Sequence, residues 1–171
     1  MWSRLVRLFK HRWADDSSRT ISPLALKRLT ERVGESERLH SGEIRICIES
    51  GLPNSYLLRA QPTPVLTRQR ALAQFSKLRV WDTEHNNGVL IYLLLAEHAI
   101  EVVADRGLNG CMSPAKWQAL VKRLGEALRE GRFEEGLAQA VDEVSQVLQA
   151  QFPLTGSQGN PDELSNAPAL G

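Results

Sequence analysis

The chain has 171 residues, 42% hydrophobic and 24% charged, enough for one domain with its own core and excluding collagen-like or wholly disordered polymers. Twenty-one Lys and Arg stand against 20 Asp and Glu, a formal charge of +1, so no global field draws nucleic acid and none is expected as a partner. The two cysteines, Cys47 and Cys111, make no C-x-x-C pair and fit a reduced, cytoplasmic setting.

Charge divides the chain into three zones: a basic start over residues 1–21, a balanced domain over 22–152, and a tail over 153–171 whose only charges are Asp162 and Glu163. On a helical wheel the start is amphipathic: Trp2, Leu5, Val6, Phe9 and Trp13 share one stripe. Arg4, Arg7 and His11 lie opposite, and Lys10 and Arg12 flank it. Arg4 and Arg7 interrupt any clean apolar region and no small-residue cleavage site follows, so no cleaved signal peptide is expected. Such a helix suits an anionic bilayer surface, with Trp2, Arg4, Leu5, Arg7, Phe9, Lys10 and Trp13 as its contacts and the chain peripheral on the inner membrane. The same stripe also suits docking on its own domain or on a membrane-protein partner. The longest apolar run, residues 89–96, is eight residues, whereas a membrane span needs about 20.

In the middle zone, Ser22 and Pro23 predict a helix from an N-cap and a proline at its first position, running to about Leu39 with Leu26, Leu29 and Val33 inward. Residues 42–49 alternate, Ile44, Ile46 and Ile48 against Glu43, Arg45, Cys47 and Glu49, which predicts a half-exposed strand. A long loop over 51–61 leads to Thr63 and Pro64, which repeat the cap signal for a helix to about Arg79 bearing Ala71, Leu72, Phe75 and Leu78. Residues 89–95 are apolar on both faces and predict the central strand, and residues 99–104 its antiparallel partner across a turn at Glu97 and His98. Ser113 and Pro114 open a third helix with Trp117, Leu120, Val121, Leu124 and Leu128; Gly131 divides it from a fourth with Phe133, Leu137, Val141, Val144 and Leu148. This order predicts an α/β fold: a small mixed sheet flanked by helices on both faces, an α/β/α sandwich, with the amphipathic N-terminal helix as an addition. Right-handed crossover makes the first two strands parallel. The tail, rich in Pro, Gly, Ser and Asn, is expected to be disordered and solvated.

If the two later strands form a hairpin, one end of the sheet collects polar residues. Asp82, Glu84, His85, Asn86 and Asn87 enter it from one loop, Asp105, Arg106, Gly107, Asn109 and Gly110 from another, with His40 and Ser41 nearby. Arg106, Gly107, Asn109, Gly110 and Ser113 form a candidate anion site, since a glycine loop feeding a helix start exposes amides. Asp82, Glu84 and Asp105 form a candidate site for a divalent cation, Ca²⁺ or Mg²⁺. The plainer reading stands beside both: asparagine and glycine as ordinary turn chemistry, and the acids as loop caps or solvated groups. No Walker loop, zincin motif or nucleophile elbow is present.

The succession at Asn86, Asn87, Gly88, Val89, Leu90 and Ile91, then Ile100, Glu101 and Val102, then Gly107, Leu108 and Gly110, then residues 130–137, resembles the TPM domain family. That family includes thylakoid photosystem-repair proteins, bacterial envelope proteins and an animal receptor auxiliary, and the resemblance covers about residues 22–150. It implies a helix-flanked mixed sheet and a metal-binding loop, with acid phosphatase activity suggested for plant relatives. This chain departs from the family's pattern where Asn109 replaces a Glu and Pro114 an Asp, which removes two negative charges from the implied cation site. Two functions follow as expectations. One is a non-catalytic accessory module at the inner membrane face or on a membrane-protein partner, and the other is a metal-assisted phosphatase using the loops at 82–88 and 105–113.

Overall fold

A computed structural model describes residues 11, 21–154 and 163–171. Helix α1 spans Pro23–Glu37, and the Ser22 hydroxyl caps it by accepting from the Ala25 amide at 3.2 Å. Strand β1, Ile44–Glu49, follows, and the expected loop beyond it contains a one-turn helix α2, Asn54–Leu57. Helix α3, Thr63–Lys77, takes Pro62 rather than Thr63 as its cap position, so Thr63 lies inside the first turn. Strands β2, Val89–Leu94, and β3, Ala99–Ala104, then helices α4, Pro114–Arg129, and α5, Phe133–Gln151, complete the domain. A short fourth strand β4 occupies Ala169–Leu170.

The sheet has the order β3-β2-β1-β4. Strands β1 and β2 pair in parallel from Ile44 opposite Val89 to Glu49 opposite Leu94, as a right-handed crossover requires. Strands β2 and β3 pair antiparallel from Val89 opposite Ala104 to Leu94 opposite Ala99, and the corner between them turns through His98 at φ 49°. On one face Ile44, Ile46, Ile48, Val89, Ile91 and Leu93 pack under α1, α4 and α5; on the other, Cys47, Leu90, Tyr92 and Leu94 pack under α2 and α3. The result is the expected α/β/α sandwich with β2 buried on both faces.

Three local expectations change. All six residues of β1 are buried, polar ones included, because α3 covers the face carrying Arg45, Cys47 and Glu49 and residues 163–171 run along the strand's outer side. Those residues of the tail are therefore docked on the domain, though several stay exposed: Ala169 and Leu170 pair with Cys47 and Ile48, and Leu164 packs against the α3-side core. In α3 the inward residues are Leu66 and Ala71, whereas Leu72 is 45% exposed. The amphipathic start, including Trp2, Arg4, Leu5, Arg7, Phe9, Lys10 and Trp13, lies outside the described residues except for His11.

Candidate functional site

The antiparallel register of β2 and β3 fixes which loops meet. Because Val89 faces Ala104, the chain entering β2 and the chain leaving β3 share one rim. The Asp105 amide donates to the Gly88 carbonyl at 2.9 Å, the Gly107 amide to the Asn86 carbonyl at 2.8 Å, and the Arg106 Nε–H to Asn86 Oδ1 at 2.9 Å. Ser41, entering β1, joins them by accepting from the Asn87 side-chain amide at 3.3 Å. His40 sits one layer below, fully buried, with Nδ1 3.0 Å from the Gly42 carbonyl and Nε2 3.1 Å from the Ser145 hydroxyl. Burial holds its imidazole below the usual histidine range, against the opposing pull of the Gly42 carbonyl. The polar rim anticipated at the hairpin's open end is present.

Its glycines serve close approach. A Cβ on Gly107 would lie 2.5 Å from the Asn86 carbonyl oxygen, and one on Gly88 would lie 2.0 Å from that of Val80. Gly110 supplies a left-handed backbone at φ 80°. Amides along this loop are largely engaged within the chain: Arg106 donates to Asp105 Oδ1 at 2.7 Å, Leu108 to the Asp105 carbonyl, Asn109 to that of Arg106 and Cys111 to that of Leu108. Ser113 caps α4 by accepting from the Lys116 amide. Arg106 and Asn109 are exposed, so what this loop offers an anion is chiefly the Arg106 side chain.

The three acids of the cation candidate are not gathered. Asp82 pairs with Arg79 on the surface, the Glu84 amide donates to Glu163, and Asp105 Oδ1 caps the turn that follows it. Asp105 Oδ2 and Asn87 Oδ1 are both buried without a hydrogen-bond partner. Among the described residues no three His, Cys, Asp or Glu side chains group as a metal ion requires, and the cation implied by the family resemblance does not fit this acidic set.

Two polar constellations escaped the sequence reading. At the far end of β1 the Glu49 carboxylate, 4% exposed, accepts from Arg70 Nε and Nη2 at 2.8 and 2.5 Å, from Gln74 at 2.6 Å and from the Tyr92 hydroxyl at 2.7 Å. Burial pushes this carboxyl up, but the hydrogen bonds from Arg70, Tyr92 and Gln74 outweigh it and hold the group below its ordinary value. Burial, with Glu49 nearby, pushes the neighbouring Cys47 thiol up to about 12, far from thiolate chemistry at neutral pH. The available signal was the i, i+4 pair Arg70 and Gln74 on a helix that follows an acidic strand residue. The second constellation is at His11, 8% exposed: its Nδ1 accepts from the Leu52 amide at 2.9 Å and its Nε2 lies 2.7 Å from Glu97 Oε1. With Nδ1 accepting, the proton resides on Nε2 and is donated to Glu97.

A family model described as the TPM domain matches residues 14–147. Among solved structures, the BA42 protein from the psychrophilic bacterium Bizionia argentinensis aligns at 24% identity with a TM-score of 0.72, over 88% of this chain and 95% of that one. The N-terminal domain of a P. gingivalis protein aligns at 21% identity with a TM-score of 0.56, over 82% of this chain and 85% of that domain. At these identities the likeness is one of fold. Comparison with curated proteins yields no match.

Proposed function

Since this chain belongs to the TPM domain family, we propose that it is a non-catalytic interaction module of that type, held at the cytoplasmic face of a membrane by its basic N-terminal segment. The observation that carries this reading is His11. Within residues 1–20 it is the one the structure describes, and it is docked on the domain through Leu52 and Glu97. The helical wheel of the sequence puts His11 opposite Trp2, Leu5, Val6, Phe9 and Trp13. The residue that the domain grips thus belongs to the polar side of that wheel, which supports a membrane-contact role for the aromatic stripe. No helix among the described residues is long and apolar enough to cross a membrane, so contact of this kind is interfacial.

The catalytic alternative lacks comparable support, because Asp82, Glu84 and Asp105 are not gathered and Asn109 and Pro114 stand where the family resemblance implies acids.

Flotation with vesicles containing phosphatidylglycerol tests the proposal. The full chain is expected to float with the vesicles at low salt and to be released at high salt. Replacing Trp2 and Phe9 by Ala removes two aromatic anchors worth ~1.5–3 kcal/mol each when buried, and is expected to weaken binding by roughly tenfold or more. Protein that stays in the soluble fraction with anionic vesicles at low salt overturns the membrane assignment, and a membrane protein then becomes the surface to seek.

A further inference from the structure

The strap over residues 163–171 makes an unusual attachment. It is tied to β1 by main-chain and end-on polar contacts, with the partly buried Leu164 and Ala169 as its apolar contacts. The Gly171 amide donates to the Ile48 carbonyl at 3.0 Å and the Ser50 amide to the Gly171 carbonyl at 2.8 Å. Arg45 Nη1 donates to the Ala167 carbonyl at 3.0 Å, and the Glu163 amide to Glu43 Oε1 at 3.4 Å. Strand β4 pairs with two of the six residues of β1, and Leu170 remains 41% exposed. Pro168, without an N–H, precedes β4 and keeps the ladder from lengthening.

The groove discriminates by size. A Cβ on Gly171 would sit 3.3 Å from Glu49 Cγ and Oε1, and one on Gly34 of α1 would sit 3.1 Å from the Asn166 side-chain amide. A cleft of about 440 Å³ adjoins the same edge, lined by Cys47, Glu49, Arg70, Lys77, Leu78 and Leu170 among others. The strap also starts and finishes conveniently for intramolecular seating. Phe152 is fixed to Ser41, and Glu163 to Glu43, so the residues on either side of 155–162 are held at the same end of β1.

We propose that the outer edge of β1 is a receptor for an extended peptide, occupied here by the chain's own residues 163–171 as a tethered, displaceable ligand. The partner it fits is an extended segment repeating the pattern of residues 167–171: a carbonyl for Arg45, then proline, a small residue, leucine and glycine. Recognition is by strand addition, in which main-chain hydrogen bonds supply affinity and the tight positions supply selectivity. The short tether gives the built-in strap a millimolar-scale effective concentration, so an outside peptide gains the edge only when the strap is released or outcompeted. Peptide exchange reads the edge of β1 and vesicle flotation reads Trp2 and Phe9, so failure of one is distinguishable from failure of the other.

The test begins from the full chain, with a specific protease site placed in residues 156–159 and cut after folding. The cut strap is expected to stay bound on gel filtration and to exchange with a fluorescein-labelled synthetic peptide of residues 163–171, giving saturable anisotropy. The uncut chain is expected to bind that peptide at least about tenfold more weakly, and a labelled peptide carrying L170D to lose about tenfold on the cut chain. In the uncut chain, Leu170→Asp loosens the strap at a partly exposed position, and the wild-type peptide is expected to bind that variant about tenfold more tightly than it binds the wild-type chain. Unfolding of the domain on cutting, a strap that never exchanges, or an L170D chain that takes up no more peptide each overturns the proposal. A dimer of the uncut chain that excess peptide dissolves assigns the edge to a second copy and overturns the separate partner.

Discussion

At the scale of single residues, the rim is built by exclusion of side-chain atoms. Gly107 lets the chain leaving β3 lie against Asn86, and the 2.5 Å approach to the Asn86 carbonyl cannot yield because that oxygen belongs to backbone. Gly107→Ala is therefore expected to cost about 1–3 kcal/mol of stability through overpacking, measured as a lower urea midpoint, although position 107 has a negative φ that alanine tolerates. His40 gives the molecule an acid sensitivity of definite sign. Its folded imidazole titrates below the ordinary 6.5, so the unfolded chain binds a proton first as pH falls and stability drops from about pH 6.5 down to the depressed folded value. Glu49 acts in the same direction but lower, since its contribution is complete above the ordinary 4.5 and fades as pH falls through its depressed folded value. Urea midpoints between about pH 7 and pH 5.5 are thus expected to fall in the wild type and to fall less steeply in His40→Gln, with Glu49 still ionised across that window.

At the scale of elements, the outcome turns on which side of each one is covered. Capping and alternation located α1, β1, β2, β3, α4 and α5, because those signals are local: Ser22 and Ser113 cap as read, and β2 is apolar on both faces because it is buried on both. What alternation along β1 hid was that Arg45 and Glu49 are buried with partners brought from far along the chain, Ala167 and Arg70. Burial of a polar face depends on tertiary neighbours that no local period encodes. Strand β4 was illegible for a related reason, since two residues beside a proline carry no period at all. The rim was legible because a hairpin's register follows from its two strands. The dispersal of its acids was not, since Asp82 turns outward to Arg79 by a contact three residues away that composition does not reveal. In α3 the apolar spacing counts Leu72 among the inward residues, but the structure leaves Leu72 exposed and buries Leu66. Leu66→Ala is accordingly expected to cost about 2–5 kcal/mol and Leu72→Ala to stay within about 0.5 kcal/mol, both read by denaturant melts. Equal costs would mean that the helix is rotated from the position described.

At the scale of the whole molecule, stability is organised around β2, the strand through which the two cores touch. Its residues alternate between the layer under α1, α4 and α5 and the layer under α3, and every one of the six is buried. Loss of either layer exposes half of β2, so the two layers share one cooperative transition despite having no side chains in common. Ion pairs across the α1–α5 surface, Arg28 with Glu134 and Arg32 with Asp142, are half-exposed and screened, and add little to that transition beyond orientation. Native-state hydrogen exchange distinguishes a single unit from two. The amides of β1 and β2 are expected to open only with global unfolding, and those of α5 and α3 facing opposite sides of the sheet to approach the same limiting free energy. The one-turn helix α2, with Leu57 as its buried residue, has too little apolar cover to join them and is expected to exchange by local opening. If α3 reached its limit well below α5, the layer carrying Tyr92 and Glu49 would be a separate folding unit resting on a stable three-helix half.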